Sequence, residues 1–240
     1  MTQTIIDKKD YLTINKEGLE FVDIAITTTN IDAKNLDDVN NAFKDVFTLK
    51  NLSKNKQIHS NIVNKVDKDN IGQIIDGDAI ITNEKNVPLL ILTADCVPVV
   101  LVDKVNKAVG LVHAGWRGTY GKICSETLQS MKENYNTNTE DVVAIIGPSI
   151  GKCCYEVSYD LVEKFSVLLP NADEKIYEIR DEKYYLNLWE VNTQILKEFG
   201  VLKSNIINMN ICTSCNCDRF FSYRKHDKTP KRIGTFIEIK

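Results

Sequence analysis

The chain has 240 residues, 43% of them hydrophobic, and a net charge of −3, which is enough apolar mass for a single domain over residues 1–240. Acidic and basic residues are interspersed throughout, so no basic field invites nucleic acid or an anionic membrane. The N-terminal MTQTIIDKKDY has no apolar leader, the run from Val87 to Val102 is short for a membrane span and carries Asp95, and seven cysteines, two of them adjacent, suit a reducing compartment; a cytoplasmic location is expected.

Residues 20–29, EFVDIAITTT, are β-branched and loosely alternating and predict a strand. Asn35 to Leu49 spaces Leu36, Val39, Ala42, Phe43, Val46 and Phe47 for a helix, which Asn35 or Asp37 is placed to cap. Lys56 to Val63 alternates as a strand carrying His59, and a lone His on a strand is usually structural. Asp76-Gly77-Asp78 reads as a turn into the AIIT strand, its carboxylates turn formers rather than ligands.

The reactive side chains gather in Thr93 to Gly118, TADCVPVVLVDKVNKAVGLVHAGWRG. Two runs rich in Val and Leu, joined by a short polar turn, predict adjacent buried strands. Cys96 stands just before the first and His113 ends the second, so the two could meet at one place; each taken alone is as readily a core residue. Thr119 to Tyr135 predicts a helix with Ile123, Leu128 and Met131 on one side. Its start after the glycine loop offers N–H groups to an anion above His113, and Arg117 adds a full charge. Lys outnumbers Arg 25 to 5, which marks each Arg as a place where a planar, five-donor fork could grip phosphate or carboxylate. Arg117, Arg219, Arg224 and Arg232 fit that role, whereas Arg180 reads as an ordinary surface residue.

Farther on, VVAIIG predicts a strand that leaves through the glycine-punctuated GPSIGKCCYEV. Ser158 to Leu169 and Leu188 to Phe199 predict helices, and Ile206 to Ile211 and Thr235 to Ile239 predict strands. Alternating strands and helices with hairpin-like pairs give an α/β (α+β) class with mixed sheets. Cys153 and Cys154, neighbours in sequence, should point different ways and make a poor metal pair. Cys212, Cys215 and Cys217 lack a second knuckle and have only His226 nearby, so a structural zinc is not expected there.

QIHS (57–60), GDAIIT (77–82), TADCVPVVLVD (93–103), VGLVHAGWRG (109–118), IGPSIGKCCYEV (146–157) and CTSCNCDRFFSYR (212–224) together resemble the laccase-like multicopper polyphenol oxidase family, whose members are also described as purine nucleoside phosphorylases and adenosine deaminases. The resemblance spans about residues 15 to 239. It implies a four-layer α/β/β/α sandwich and one zinc ion held by His59, Cys96 and His113. It also implies phosphorolysis of adenosine, inosine, guanosine and methylthioadenosine, together with adenosine deamination, from a purine nucleoside and phosphate. Ser60 stands where the family usually has Gly, and YRKHDKTPKR replaces its usual arginine pair and Thr-Gly-Arg ending.

Three ligands of mixed nitrogen and sulfur type leave a fourth zinc position open, the pattern of a catalytic site. Cys96, His113 and Arg117 are then the candidate catalytic residues. A multicopper laccase needs more imidazoles than the three histidines in the chain, although copper could enter the single site in place of zinc. Two other classes are compatible with the residues. One is a metal-free cysteine hydrolase acting on amide bonds, with Cys96 as nucleophile and His113 as base; the resemblance implies a link to peptidoglycan precursor editing, as for some family members. The other is a module that binds a nucleotide without turning it over.

Overall fold

Alternate side chains of the long strands feed different cores, and that division sets the layers. The computed structural model describes residues 4–170, 172 and 176–240. One six-stranded sheet runs in the order β1 (Thr4–Asp7), β2 (Tyr11–Asn15), β3 (Val22–Thr27), β15 (Ile233–Ile239), β7 (Leu89–Thr93), β4 (Ser53–Lys54). A second runs β14 (Ile206–Asn208), β10 (Val142–Ile146), β8 (Val97–Asp103), β9 (Ala108–Ala114), β6 (Ala79–Thr82), β5 (Val63–Lys65). A small third sheet orders β11 (Glu156–Val157), β13 (Lys183–Leu186) and β12 (Tyr177–Arg180). The helices are α1 (Leu36–Phe43), α2 (Trp116–Tyr120), α3 (Ile123–Tyr135), α4 (Tyr159–Leu168) and α5 (Leu188–Glu198).

The two large sheets pack face to face. Leu89, Ile91, Ile233 and Ile237 of the first meet Val100, Val102, Val109 and Leu111 of the second in one buried cluster. Because side chains alternate along a strand, the intervening residues face outward. Leu90 and Phe236 pack with Val39 and Phe43 of α1. Val99, Leu101, Val112 and Ala144 pack with Leu128 and Met131 of α3 and Val191 and Ile195 of α5. The result is helix, sheet, sheet, helices: the four-layer sandwich with mixed sheets that the resemblance implies. Phe43 is fully buried between the rings of Tyr11, Phe47 and Phe236, and burial on this scale contributes roughly 1.5–3 kcal/mol for a Phe side chain. Asn35 caps α1 by accepting from the Asp37 backbone N–H at 3.0 Å.

Most predicted elements are present within a few residues, and β8 and β9 pair antiparallel as a hairpin, Pro98 opposite His113. Several expectations change. The helix predicted over Asn35 to Leu49 ends at Phe43, leaving Val46 exposed, while Phe47 still packs with Phe43 from the turn that follows. The predicted strand over Lys56 to Val63 is mostly loop, with β5 beginning only at Val63, and His59 adopts a left-handed turn conformation at φ 60°. The reason is that the backbone N–H groups of Ile58, His59 and Ser60 go to the Asp78 carboxylate rather than to a neighbouring strand. The predicted helix from Thr119 is split into α2 and α3, because Lys122 turns left-handed at φ 56°. Strands β1, β2, β4, β7, β11, β12 and β13 are additional to the predicted elements. Among the described residues no helix is long and apolar enough to cross a membrane.

Candidate active site

The topology brings one end of the second sheet together. β9 is antiparallel to both β8 and β6, and β8 is antiparallel to β10. The start of β8 (Cys96), the end of β9 (His113), the start of β6 (Asp78) and the exit of β10 (Gly147) therefore share an edge. On β9 the inter-sheet side chains are Val109 and Leu111, and the alternation continues to His113. The imidazole thus stands at the mouth of the inter-sheet layer, 4% exposed.

His59, Cys96 and His113 present ligand atoms that all lie within 4.8 Å of one another. The two imidazole rings meet edge to face at 4.9 Å between centroids. Gly115 gives them room at the back: a Cβ there would stand 3.1 Å from Cys96 Sγ and 3.3 Å from His59 Cδ2. Two residues of the site's frame lie in the left-handed region, His59 and Asp95, at φ 60° and 82°. Non-glycine residues adopt it uncommonly, Asn, Asp and His more readily than others, and here local contacts hold both.

Those contacts come from buried carboxylates. Asp78 is fully buried and accepts from the backbone N–H of Ile58, His59 and Ser60, from Ser60 Oγ at 2.8 Å, and from His113 Nδ1 at 2.7 Å. One carboxylate therefore fixes the His59 turn and orients the His113 ring, leaving Nε2 for the site. Gln57 ties the same loop to the first sheet, its amide exchanging two 2.8 Å hydrogen bonds with the Leu92 backbone. Asp95, next to Cys96, accepts from Thr213 Oγ1 at 2.6 Å and from the Arg224 N–H at 2.7 Å. The reading of Asp78 as a turn former is corrected: it is the residue on which both histidines depend. Asp76 remains outside the site, paired with Lys56 at the surface.

Electrostatics follow from this packing. Burial alone would raise the Asp78 pKa, but hydrogen bonds from His113 and Ser60 outweigh it and hold the carboxyl far below its usual range. Burial likewise opposes a Cys96 thiolate and a His113 cation. Hydrogen bonds from His113 and then His59 bring Cys96 down to about 6, and hydrogen bonds to Asp78 and then Cys96 bring His113 up to about 9.

The three residues line a cavity of about 900 Å³, a size that takes a nucleoside with room to spare. Among the described lining residues the cations are Lys34, Lys54, Lys56, Arg117, Arg224 and Arg232, against a single acid, Asp95. Arg117 stacks on the Trp116 ring at 4.4 Å. Because α2 has only five residues, its N-terminus contributes little to anion binding, and the guanidinium is the charge that matters. Arg219 is not part of the group: it pairs with Asp7 at 2.9 Å. Arg180 is no idle surface residue, since it donates to the Lys152 and Cys153 carbonyls at 2.7 and 3.2 Å. Thr93, 1% exposed, also lines the cavity, and its hydroxyl has no partner among the described residues.

A family model described as multi-copper polyphenol oxidoreductase laccase matches residues 25–240. The chain belongs to that family. It is similar to a purine nucleoside phosphorylase of Clostridium acetobutylicum, 33% identical over 229 residues, covering 95% of this chain and 90% of the relative. It is also similar to the purine nucleoside phosphorylase YlmD of Bacillus subtilis, 34% identical over 192 residues, 77% of this chain and 69% of that one. The crystal structure of YlmD from Geobacillus stearothermophilus superposes with a TM-score of 0.90 at 27% identity, over 98% of both chains.

Proposed function

We propose that this member of the laccase-like family is a zinc-dependent purine nucleoside phosphorylase that also deaminates adenosine, accepting adenosine, inosine, guanosine and methylthioadenosine. The observation that carries the reading is the convergence of His59, Cys96 and His113 inside a cavity whose charged lining is cationic but for Asp95. Its relatives' names support the phosphorylase part of that reading.

Two imidazoles and a thiolate within reach of one ion fit zinc, and the space that Gly115 leaves open suits it. A zinc ion held by three ligands supplies the Lewis acidity that activates water near neutral pH. The chain's own residues supply the rest. Asp78 keeps the Nδ1 proton of His113 and leaves Nε2 as a neutral donor. Arg117, with Arg224 and Arg232, neutralises and orients phosphate. In phosphorolysis a phosphate oxygen attacks C1′ of the ribose as the C1′–N9 bond breaks, and its electron pair leaves on the purine, which takes up a proton. The products are free base and ribose 1-phosphate. In deamination water adds at C6 of adenine, ammonia departs, and inosine forms without phosphate. Copper competes for the same donors, but a multicopper cluster lacks the histidines it needs.

A second reading is favoured by the lowered thiol of Cys96: a cysteine hydrolase with His113 as base, suited to peptidoglycan precursor editing. Against it, two imidazoles rather than one press on the sulfur. Iodoacetamide mapping on protein purified without added metal separates the two. Protection of Cys96 that a chelator abolishes supports the zinc enzyme; rapid alkylation of Cys96 without chelator, in protein that turns over no nucleoside, rules it out.

A further inference from the structure

A second sulfur-rich cluster lies outside the proposed catalytic residues. Cys153, Cys154, Cys212 and Cys215 place their four sulfurs within 4.8 Å of one another. Cys215 Sγ is 3.4 Å from the sulfurs of both Cys153 and Cys154. The sheet explains the meeting. β10 and β14 are parallel neighbours, so the loops leaving their C-terminal ends emerge side by side, and a bridge between Ser149 and Cys212 staples them. The first loop turns sharply, with the N–H groups of Cys154 and Tyr155 both donating to the Gly151 carbonyl. That turn aims two consecutive cysteines at one point, contrary to the expectation that they diverge. In the second loop the Asn216 N–H donates to the Cys212 carbonyl at 3.0 Å, closing a Cys-x-x-Cys turn. The Gly151 N–H points at the Cys212 sulfur from 3.3 Å, stabilising negative charge there.

We propose that these four cysteines hold a second zinc ion, in an all-sulfur site separate from the His59, Cys96 and His113 centre. Four sulfurs around zinc at about 2.3 Å form a tetrahedron with edges of about 3.8 Å, which falls between the 3.4 Å contacts and the 4.8 Å limit observed. Sulfur selects a soft divalent ion over magnesium or calcium, and binding it would displace the thiol protons that otherwise bridge Cys215 to Cys153 and Cys154. With four protein ligands the site has no open position and is structural in type. It joins loops about sixty residues apart. The first of them carries Ile150 and Tyr155 to the cavity wall, and Arg224, downstream of the second, stacks on Tyr155 and donates to the Glu156 carbonyl at 3.2 Å. The ion is a clip on one wall of the pocket.

The test is metal counting on the full chain purified under reducing conditions with no added metal, by native mass spectrometry and elemental analysis. Wild type is expected to carry two zinc ions, the His59→Ala/His113→Ala variant one, and Cys153→Ser/Cys215→Ser one. Should the cysteine variant fail to fold, cobalt substitution of the histidine variant decides alone: one cobalt with the intense near-ultraviolet bands of four thiolates is expected. The inference is overturned if the histidine variant binds no metal, if its cobalt spectrum lacks those bands, or if the reduced cluster is replaced by a disulfide, seen as a loss of 2 Da without zinc. Because the count does not depend on turnover, it stands apart from the phosphorylase reading.

Discussion

The two clusters differ in what holds them. His113 and Cys96 stand at strand ends of a sheet whose core is fully buried, and a carboxylate with no solvent exposure fixes the third member, His59. The four-cysteine cluster hangs on two loops, with Cys153 and Cys215 exposed and only Cys212 buried. A rigid frame with mixed donors can leave a coordination position open without collapsing, which catalysis requires. Loops closed by four sulfurs gain order from the ion itself. The first cluster is placed by the fold, and the ion proposed for the second would tie two loops of it together.

That contrast is broken most forcefully at His113. His113→Ala should remove zinc from the first site, leave the second ion in place, and lower phosphorolysis and deamination on the order of a thousandfold, since metal activation is worth several kcal/mol of barrier. Elemental analysis and chromatographic assay of the same sample check it. A variant that loses both ions together would mean that the clusters are not independent.

Arg117→Lys separates phosphate from purine chemistry. Losing a bidentate, charge-assisted contact costs a few kcal/mol, on the order of a hundredfold in rate. The loss is expected in phosphorolysis of inosine and far less in conversion of adenosine to inosine. Equal losses in both, with zinc retained, would place Arg117 in the shared pocket through its stacking on Trp116 rather than on phosphate.

Asp78→Asn tests the frame. An amide keeps the shape but loses the charge that orders His113 and the 58–60 turn, and a partner of this kind typically contributes 10–100-fold to metal affinity. Zinc competition with a chromophoric chelator should show that weakening at the first site and none at the four cysteines.

Much of the first site was legible in the sequence because periodicity locates strands, and strand ends locate side chains: Cys96 and His113 follow from β8 and β9. His59 was visible only through motif resemblance, since its alternating segment is a loop cinched by Asp78 and Gln57. Asp78 itself looked like any Asp-Gly-Asp turn, because a carboxylate's five hydrogen bonds leave no periodic trace. The four-layer sandwich was likewise implied by resemblance, and strand composition gave only the class. The second cluster was misread for a topological reason. Sequence spacing says nothing of which strands are neighbours, and it is the parallel pairing of β10 with β14 that brings Cys153 and Cys154 to Cys215.

The smallest effects come from a matched pair of glycines, one behind each cluster. A methyl group at Gly115 would stand 3.1 Å from Cys96 Sγ and 3.3 Å from His59 Cδ2, so the ligands must yield by a few tenths of an ångström. Mild overpacking of this kind costs about 1 kcal/mol, roughly fivefold in zinc affinity at the first site. At Gly151 the added carbon would meet the Trp189 ring at 2.7 Å. That ring is held by its own 2.6 Å hydrogen bond to Ser149, so the turn carrying Cys153 and Cys154 is the part that moves. Gly151→Ala should therefore weaken the four-cysteine site and spare the first, while Gly115→Ala does the reverse. Cobalt titration reads both sites by their different thiolate content. If either alanine weakens both sites equally, the frame that separates them is shared after all, and the wall around Ile150 and Tyr155 is where it is shared.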